Sequence, residues 1–551
     1  MIMSSAKFPR NAWASLTHDS LDTAQLDPDR LGSLEFVLIN IGLLSGNILV
    51  LFNTGAFASV SLHASGELGV SPSHATWMQT YYFISLALAL PVSTWAAAAV
   101  GELRLYLLAM SVLLLASCLC AATTDLNGFL IGRSLQGFSG GLTIPLSQTL
   151  LMREYPQKSR GFAVALWSIA ALSPFTLGPA AGGWVADQLG WRWLFYLNIP
   201  LALLSITLAW ALLPKHPAPR TNTRLDTLGL VLLGLSLFCG QTVLNSGQDA
   251  DWFNSPALMT TAGLGMLVLV TFIIWELAET RPLIDLRLLA RRNFVIGSLG
   301  LSLSFMLMYG LLALLLVRLQ SVAGYTSFLA GSVLLPLVFL AKPLASVMHH
   351  LVQRFDTRLL ASINLLLFAW YCAWSSQFDF FSRLSWFTQP LWSQVLEGFC
   401  LGGLFVPLTT LFLSGLTPRR QIQAVELGGM LRVLGGSVAS PLFGLLWERR
   451  TAFHQHRLLE SLGNQHGIVS TTLSHLQYAG FSAPAAQAKL TAISNQHAGI
   501  LALNDCFRLT AWLFVALAAL VWLAHPHQPK LDKTTRQTVR ETALEELMEE
   551  P

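Results

Sequence analysis

Among 29 acidic residues, one stands where it could carry a proton across a membrane. Glu397 lies about nine residues into the apolar stretch near 388–414. An ionisable group at the middle of a bilayer costs about 3 kcal/mol on insertion scales, so it is a functional candidate by default. Burial penalises its carboxylate relative to the acid, as a proton carrier requires. The alternative is a carboxylate held by a cation or by backbone for structure alone. Arg133 and Arg432 lie in comparable stretches. A guanidinium keeps its proton, so each either tunes a neighbouring group or braces its helix by hydrogen bonds. Glu426 precedes Arg432 by six positions, about 240° round a helix, so the two are not a simple i,i+4 pair. Glu35, Glu276, Glu279 and Asp505 fall near the ends of apolar stretches, and Lys342 reads as a side chain snorkelling to the interface.

The elements that position these groups follow from composition. Of 551 residues 53% are hydrophobic and 11% charged, less than half the charge of a typical soluble chain. That excludes a cytosolic enzyme, a secreted disulfide scaffold and a disordered chain. A net charge of +4 on dispersed residues makes no phosphate-tracking surface, so no nucleic-acid partner is expected. A span needs about 20 apolar residues. Fourteen occur, near 36–60, 75–99, 103–123, 128–152, 161–186, 193–213, 227–246, 257–279, 293–317, 326–348, 357–375, 388–414, 424–447 and 504–524. Twenty-two of the 33 Lys and Arg fall on one side of this arrangement, Arg104, Arg153, Arg354 and Arg358 among them. The excess of basic residues predicts that side, and both termini, to be cytoplasmic. Residues 1–35 hold Asp19, Asp22, Asp27 and Asp29 but no apolar signal core, so the first span is expected to do the targeting.

The six cysteines read as small apolar core residues, and none has zinc spacing. His454, His456, His466 and His475 lack the carboxylate or thiol spacing that would complete a site, so no metal is expected. No GxxxxGK[ST] sequence occurs, so ATP is not expected to act directly.

The chain repeats itself. Leu135-Gln-Gly-Phe-Ser-Gly-Gly-Leu-Thr-Ile-Pro-Leu-Ser147 resembles Leu396-Glu-Gly-Phe-Cys-Leu-Gly-Gly-Leu-Phe-Val-Pro-Leu-Thr409. At an offset of 262, Pro145, Pro156, Pro179 and Gly182 fall on Pro407, Pro418, Pro441 and Gly444; at 252, Pro91 falls on Pro343. Spans 1–6 thus recur as spans 9–14, with two inserted. Six is even, so the copies run parallel, as in transporters whose substrate site lies between the halves. The expected organisation is a cytoplasmic segment 1–35, an N-terminal six-helix bundle 36–213 and a linker with two inserted spans, 214–280. A C-terminal six-helix bundle 281–524, including an outer loop 448–503, and a cytoplasmic tail 525–551 follow. By the repeat, Glu397 occupies the position of Gln136, which shares a helix face with Arg133.

Gly178-Pro179-Ala-Ala-Gly182-Gly183, near the outer end of the fifth span, suits close helix packing and a bend rather than chemistry. With Trp191-Arg-Trp193, Phe195 and Asn198-Ile-Pro200 it resembles the antiporter motif of major facilitator exporters in their 14-helix drug:proton antiporter form. Arg133-Ser-Leu-Gln-Gly137 resembles that family's intramembrane arginine motif. The resemblance covers nearly the whole chain. It implies an all-α integral membrane protein of the major facilitator fold in a bacterial inner membrane, exporting hydrophobic or amphipathic compounds. It also implies a proton gradient in place of a cofactor, no enzymatic reaction, and a periplasmic membrane-fusion adaptor leading to an outer-membrane channel. Two positions depart from the family pattern. Asn53 stands where the first helix usually carries Asp, and the segment between spans 2 and 3, Thr94 to Glu102, lacks the usual Asp/Arg-rich character.

Glu397, Arg133, Arg432 and Glu426 are therefore the candidates for proton coupling. Asn53, Gln136, Tyr81 and Tyr82, with Phe83, are the candidates for lining a substrate site. Trp77, Trp191 and Trp392 at span ends read as interfacial anchors. The segment 448–503 reads either as a docking element for the adaptor or as a solvated loop, and the tail as a solvated helix. Export of one metabolite, such as a fatty acid or siderophore, and a non-transporting membrane sensor are the alternative readings.

Overall fold

The computed structural model describes residues 33–156, 159–214, 225–280, 282–322, 324–377, 385–464 and 466–526. Most of the expected N-terminal segment and C-terminal tail, and the side chains of Lys342 and His466, lie outside the described residues. Within them every regular element is helical. The N-terminal helices are α1 Leu34–Glu67, α2 Pro72–Val100, α3 Glu102–Ala122, α4 Leu126–Glu154, α5 Arg160–Leu189 and α6 Trp193–Leu212, the last broken at Leu197. Next come α7 Thr227–Ser246 and α8 Pro256–Ala278. The C-terminal set is α9 Arg292–Ser321, α10 Ser327–Val352 (interrupted at Val333 and Leu334), α11 Thr357–Ser375, α12 Ser385–Leu413, α13 Pro418–Asn464, α14 His466–Tyr478 and α15 Ala483–Val521.

Local chemistry sets several ends. Ser33 accepts the Phe36 amide at 3.2 Å, and Asp125 accepts that of Gly128 at 2.9 Å, each satisfying an orphan donor of a first turn. α2 gives way to α3 across the single residue Gly101, whose φ of 95° suits glycine. The expected loop from Thr94 to Glu102 is thus helix up to Val100.

Thirteen of the described helices are long and apolar enough to cross a membrane. The fourteenth expected span is α4, 29 residues long, whose glycines, Arg133 and Gln136 dilute its apolar content while facing the bundle interior. Each of the fourteen spans read from the sequence therefore has its helix. The outer segment 448–503 differs from expectation. α13 runs 47 residues and α15 runs 39, far beyond the roughly 20 that a bilayer needs. With α14 they make this region helical. Apolar content marks where a membrane ends, not where a helix does, and Glu448 to Asn464 offers no proline to stop one.

The repeat appears in the packing. A Cβ on Gly137 or Gly141 of α4 would lie 2.1 or 2.5 Å from the carbonyl oxygens of Tyr82 and Leu86 on α2. On Gly398 or Gly402 of α12 it would lie 2.7 or 2.2 Å from those of Leu337 and Ala341 on α10. In both halves two glycines one turn apart let helix backbones touch, the small-xxx-small device of membrane helices. α1, α2, α3, α4 and α6 share one apolar core, and α9 to α13 with α15 share another. The inserted α7 and α8 pack on each other at Gly265 and Cys239, and Gln241 of α7 donates to the Ser437 carbonyl of α13 at 3.0 Å.

Trp191 is not an interfacial anchor. It is 1% exposed, edge-on to Phe129 and Phe195, because the turn between α5 and α6 folds back into the bundle. Trp392, 61% exposed, keeps the surface position expected of it.

Gly137→Val should force α4 off α2 and lower the apparent Tm of the detergent-solubilised protein by several degrees, an overpacking cost of about 1–3 kcal/mol. Gly263→Val, where nothing lies within 4 Å of the added carbon, should leave Tm unchanged in the same thermal-shift assay.

Candidate functional site

Arg133 is fully buried. Its Nε donates to the Met78 carbonyl (3.3 Å), Nη1 to Gln136 Oε1 (3.1 Å) and Nη2 to Gln79 Oε1 (2.9 Å). The guanidinium lies between the rings of Phe57 and Tyr82, 4.4 Å from each centroid, contacts worth roughly 2 kcal/mol when desolvated. Gln136 Nε2 donates to Ser117 Oγ (2.9 Å), which also accepts from Asn198 Nδ2 (3.2 Å). Asn198 and Asn53 exchange amide hydrogen bonds at 3.0 Å in both directions. Gln79 Nε2 donates to the Thr54 carbonyl at 3.3 Å, and Tyr82 Oη donates to that of Val50 at 3.0 Å. One connected polar network thus runs through α1, α2, α3, α4 and α6, with a single cation and no carboxylate in it.

Glu397 is its counterpart in the other half, 2% exposed. Tyr371 and Gln394 hydrogen-bond to it, and Cys372 and Cys400 lie beside it. Gln394 also donates to Tyr371 Oη at 3.2 Å. At the repeat offset here, Gln394 matches Arg133 and Glu397 matches Gln136. The first half places a cation where the second has an amide, and one turn on the first has an amide where the second has a carboxyl group.

The halves meet along α1, α2 and α5 on one side and α9, α10 and α13 on the other. We call the side of Arg104, Arg153, Arg354 and Arg358 inner. At the outer ends Asp187 of α5 accepts the backbone N–H groups of Ser327 (3.2 Å) and Phe328 (2.8 Å). These open α10, where unsatisfied amides and the helix dipole favour a negative charge. Ser327 Oγ sits 3.1 Å from His63 Nδ1 and donates to Gln320 Oε1 at 3.1 Å; Gln320 Nε2 donates to the Ser59 carbonyl at 2.9 Å. The antiporter-motif residues make this approach close. A Cβ on Gly178 or Gly182 would lie 2.7 Å from Ala56 of α1, and one on Gly183 2.3 Å from the Ser327 carbonyl oxygen. The Pro179 carbonyl fills the space where Gly331 lacks a side chain.

At the inner ends a cavity of about 770 Å³ opens, lined by Thr94, Gln148, Arg153, Gln421 and Glu426 among others. Glu426 accepts from Thr94 Oγ1 across its mouth. A smaller space of about 100 Å³ persists outside, bounded by Thr76, Gln79, Tyr309, Arg318 and Glu448. The molecule is open inward and closed outward.

Between these spaces lie aromatic rings from both halves. Tyr309 of α9 packs on Phe83 (5.0 Å between centroids), Phe305 (6.0 Å) and Phe175 (6.4 Å). Arg432, half-buried, lies 5.6 Å from the Phe305 centroid and 5.5 Å from that of Phe405. Among the described residues no carboxylate lies within ion-pair distance of it.

Of the residues singled out from sequence, Arg133, Gln136, Asn53 and Tyr82 come together in one network, and Arg432 stands beside the aromatic cluster. Glu426 is apart at the inner mouth. Tyr81 turns to the inserted helix α7, packing edge-on to Phe238. None of Asn53, Gln136, Tyr81 and Tyr82 lines a described cavity. Sequence reasoning missed Tyr309, Phe305, Phe175, Gln79 and Glu448. A signal existed for Tyr309, a lone phenol in the apolar run Phe305-Met-Leu-Met-Tyr-Gly310. His454 binds Asp505 at 2.7 Å beside Arg450, which accounts for it without a metal.

The sequence profile of the Major Facilitator Superfamily matches residues 43–440. The multidrug export protein EmrB of Haemophilus influenzae is 32% identical over 462 residues, 84% of this chain and 90% of that one. The fatty acid resistance protein FarB of Neisseria gonorrhoeae is 33% identical over 91% of this chain and 97% of its own. Among solved structures, a bacterial homologue of the human lysosomal transporter Spinster, inward-facing and unoccupied, superposes with a TM-score of 0.59. That match covers 89% of this chain and 97% of the other at 15% identity, a likeness of fold alone. The chain belongs to the Major Facilitator Superfamily.

Proposed function

We propose that this transporter is a proton-driven exporter of hydrophobic or amphipathic compounds from the cytoplasm. The observation that carries the reading is the cluster of Phe83, Phe175, Phe305 and Tyr309, drawn from three helices across both halves and lying between the inner and outer spaces. Aromatic faces give large apolar contact area with little directional demand, which suits guests of varied shape. Relatives called multidrug export proteins, at 31–32% identity over most of the chain, support it.

The moving bodies are 36–213 and 281–524, with 214–280 inserted between them. A compound enters from the inner cavity and settles on the aromatic cluster. Release requires the clasp of Asp187, His63 and Gln320 around Ser327 to open while the inner mouth closes. Glu397 holds the transported proton, and Arg133, Arg432 and Glu426 adjust the electrostatics around it. Asn53 and Gln136 act through the Arg133 network, and Tyr82 through its contact with Phe83. No bound cofactor is needed. The protein sits in a bacterial inner membrane with both termini cytoplasmic. The helical region 448–503 meets a periplasmic membrane-fusion adaptor, and through it an outer-membrane channel.

A second reading, export of an amphipathic anion such as a fatty acid, is favoured by Arg432. A half-buried cation with no carboxylate partner among the described residues, against two aromatic rings, suits an anionic head group with an apolar body. The FarB relative, called a fatty acid resistance protein, points the same way.

In inverted vesicles an exported compound should release protons from the lumen of wild-type vesicles, and Glu397→Gln should reduce this at least tenfold. Full retention by the variant would refute the role of Glu397; a wild type that no compound affects would refute proton coupling. Arg432→Gln should lower export of an anionic compound several-fold relative to a neutral one of equal size, and Arg432→Lys should restore most of it. Equal losses for both compounds would remove the second reading. Asp187→Asn takes a charge from the start of α10 worth about 0.3–1 kcal/mol. It should raise outward opening up to about fivefold, read as faster thiol labelling of a cysteine placed at Ser440 in a background without the native cysteines.

A further inference from the structure

Alternating access turns one bundle against the other, so a proton is coupled to it only through a group whose surroundings differ between the two states. Glu397, the proposed carrier, has its partners on α11 and α12 of its own bundle, so its proton reaches the gate only with the help of a group at the interface. A second carboxylate stands there: Glu448 of α13 borders the small outer cavity together with α1, α2 and α9. We propose that Glu448 is the carboxylate at the bundle interface that takes up a proton from outside and links it to closure of the outer gate. This rests on the proton-driven reading above.

The cavity has room for several waters. From the N-terminal half it is bounded by Phe57, Ala58, Ser61, Leu62, Thr76 and Gln79, none of them charged. His63, one residue past Leu62, faces Ser327 instead. From α9 comes Arg318, whose guanidinium lies 3.2 Å over the Trp447 ring and whose buried Nε has no hydrogen-bond partner among the described residues. Asp249, in the turn between α7 and α8, is the other charge whose field reaches Glu448. On α15, Asp505 is engaged by Arg450 and His454, with Arg508 3.8 Å away.

Closing the outer ends strips water from Glu448 in a space that offers one unshared cation and otherwise neutral walls. Desolvation penalises a carboxylate far more than a carboxylic acid, and Arg318 offsets part of that cost. The acid therefore closes at lower cost than the anion. A proton arriving from outside, adding to the carboxylate with no other bond changed, favours the outward-closed, inward-open state found here. That is the sense an exporter needs, because protons must drive the return of the empty site to the inside. The floor of the cavity is Gln79, which holds Arg133, and Tyr309, the centre of the aromatic cluster. A compound on that cluster thus abuts the space into which Glu448 faces.

The test uses the full chain in proteoliposomes, cysteine-free apart from spin labels at Leu189→Cys and Ser321→Cys, outer ends of opposite halves. Without any compound, acidification should shift the distance distribution toward the short, closed population. Glu448→Gln should remain closed at every pH and Glu448→Asp should titrate; His63→Gln, whatever resting distance the loss of its clasp contact gives, should still shift toward the closed population on acidification. A Glu448→Gln protein that titrates like wild type overturns the proposal, as does loss of the response in His63→Gln alone. In transport, Glu448→Gln should keep compound exchange without a gradient but lose gradient-driven accumulation at least tenfold. Full accumulation by that variant would also overturn it. A wild type that titrates conformationally yet moves no proton with compound would defeat the export reading and leave the gate assignment standing.

Discussion

A guanidinium with no counter-ion among the described residues, buried in a bundle surrounded by lipid, sets terms for everything near it. Arg133 must satisfy its donors with neutral oxygens or the half does not fold, since an unpaired charge in an apolar interior costs many kcal/mol. It recruits Gln79 from α2, Gln136 from its own turn, the Met78 carbonyl, and the faces of Phe57 and Tyr82. Those partners need partners, and so Ser117, Asn198, Asn53 and Thr54 follow. Five helices are tied by the needs of one side chain. Asn53, where the family pattern has Asp, fits this scheme as half of a reciprocal amide pair with Asn198. An aspartate there would leave Asn198 facing a carboxylate and would supply the charge the network lacks.

Small residues govern the other scale. Within each half, paired glycines seat α4 on α2 and α12 on α10 backbone to backbone. In the run from Gly178 to Gly183, Gly178 and Gly182 seat α5 on α1 within the N-terminal half, while Gly183 and Pro179 carry the same close approach across to α10 at the outer ends, where Asp187 and His63 meet the start of that helix. Among the described residues no such seam joins the inner ends, which enclose the large cavity instead. Interdigitated backbones resist bending, so a change of state is a change of angle between stiff bodies, and its cost falls on the few polar contacts across the seam.

The sequence made the architecture legible because bilayer thickness imposes one length on every span and because Pro and Gly keep their register between the copies. α4 was readable in spite of its polar content, since its glycine run recurs in α12. The site was only partly legible. Arg133 and Glu397 announce themselves as charges in apolar runs. Asp187 does not, because its partners lie 140 residues away and are backbone amides. Phe305 looks like ordinary apolar filling, and the lone phenol of Tyr309 gains its meaning only when α9 is set against α2 and α5. Glu448 sits at the end of a span, where a charge is unremarkable, and only the continuation of α13 past the membrane boundary makes it part of a helix that crosses the whole interface.

That helix joins the two mouths. α13 carries Glu426 at the inner cavity, Arg432 beside the aromatic cluster and Glu448 at the outer cavity. Glu426 and Glu448 stand twenty-two residues apart, about 33 Å at about 1.5 Å per residue, which is close to the hydrocarbon thickness. The charges of Arg133 and Glu397 lie in separate bundles at related positions and cannot neutralise one another. Each is satisfied locally by amides and hydroxyls that travel with it. In the proposed cycle, the charges whose surroundings change are those on α13 and its neighbour α9, which between them border both cavities. A rigid helix with a carboxylate near each end cannot tilt without burying one as it hydrates the other. Exchange of desolvation cost between the two ends of α13 is therefore the physical quantity through which a proton on one side of the membrane can be felt by a compound on the other.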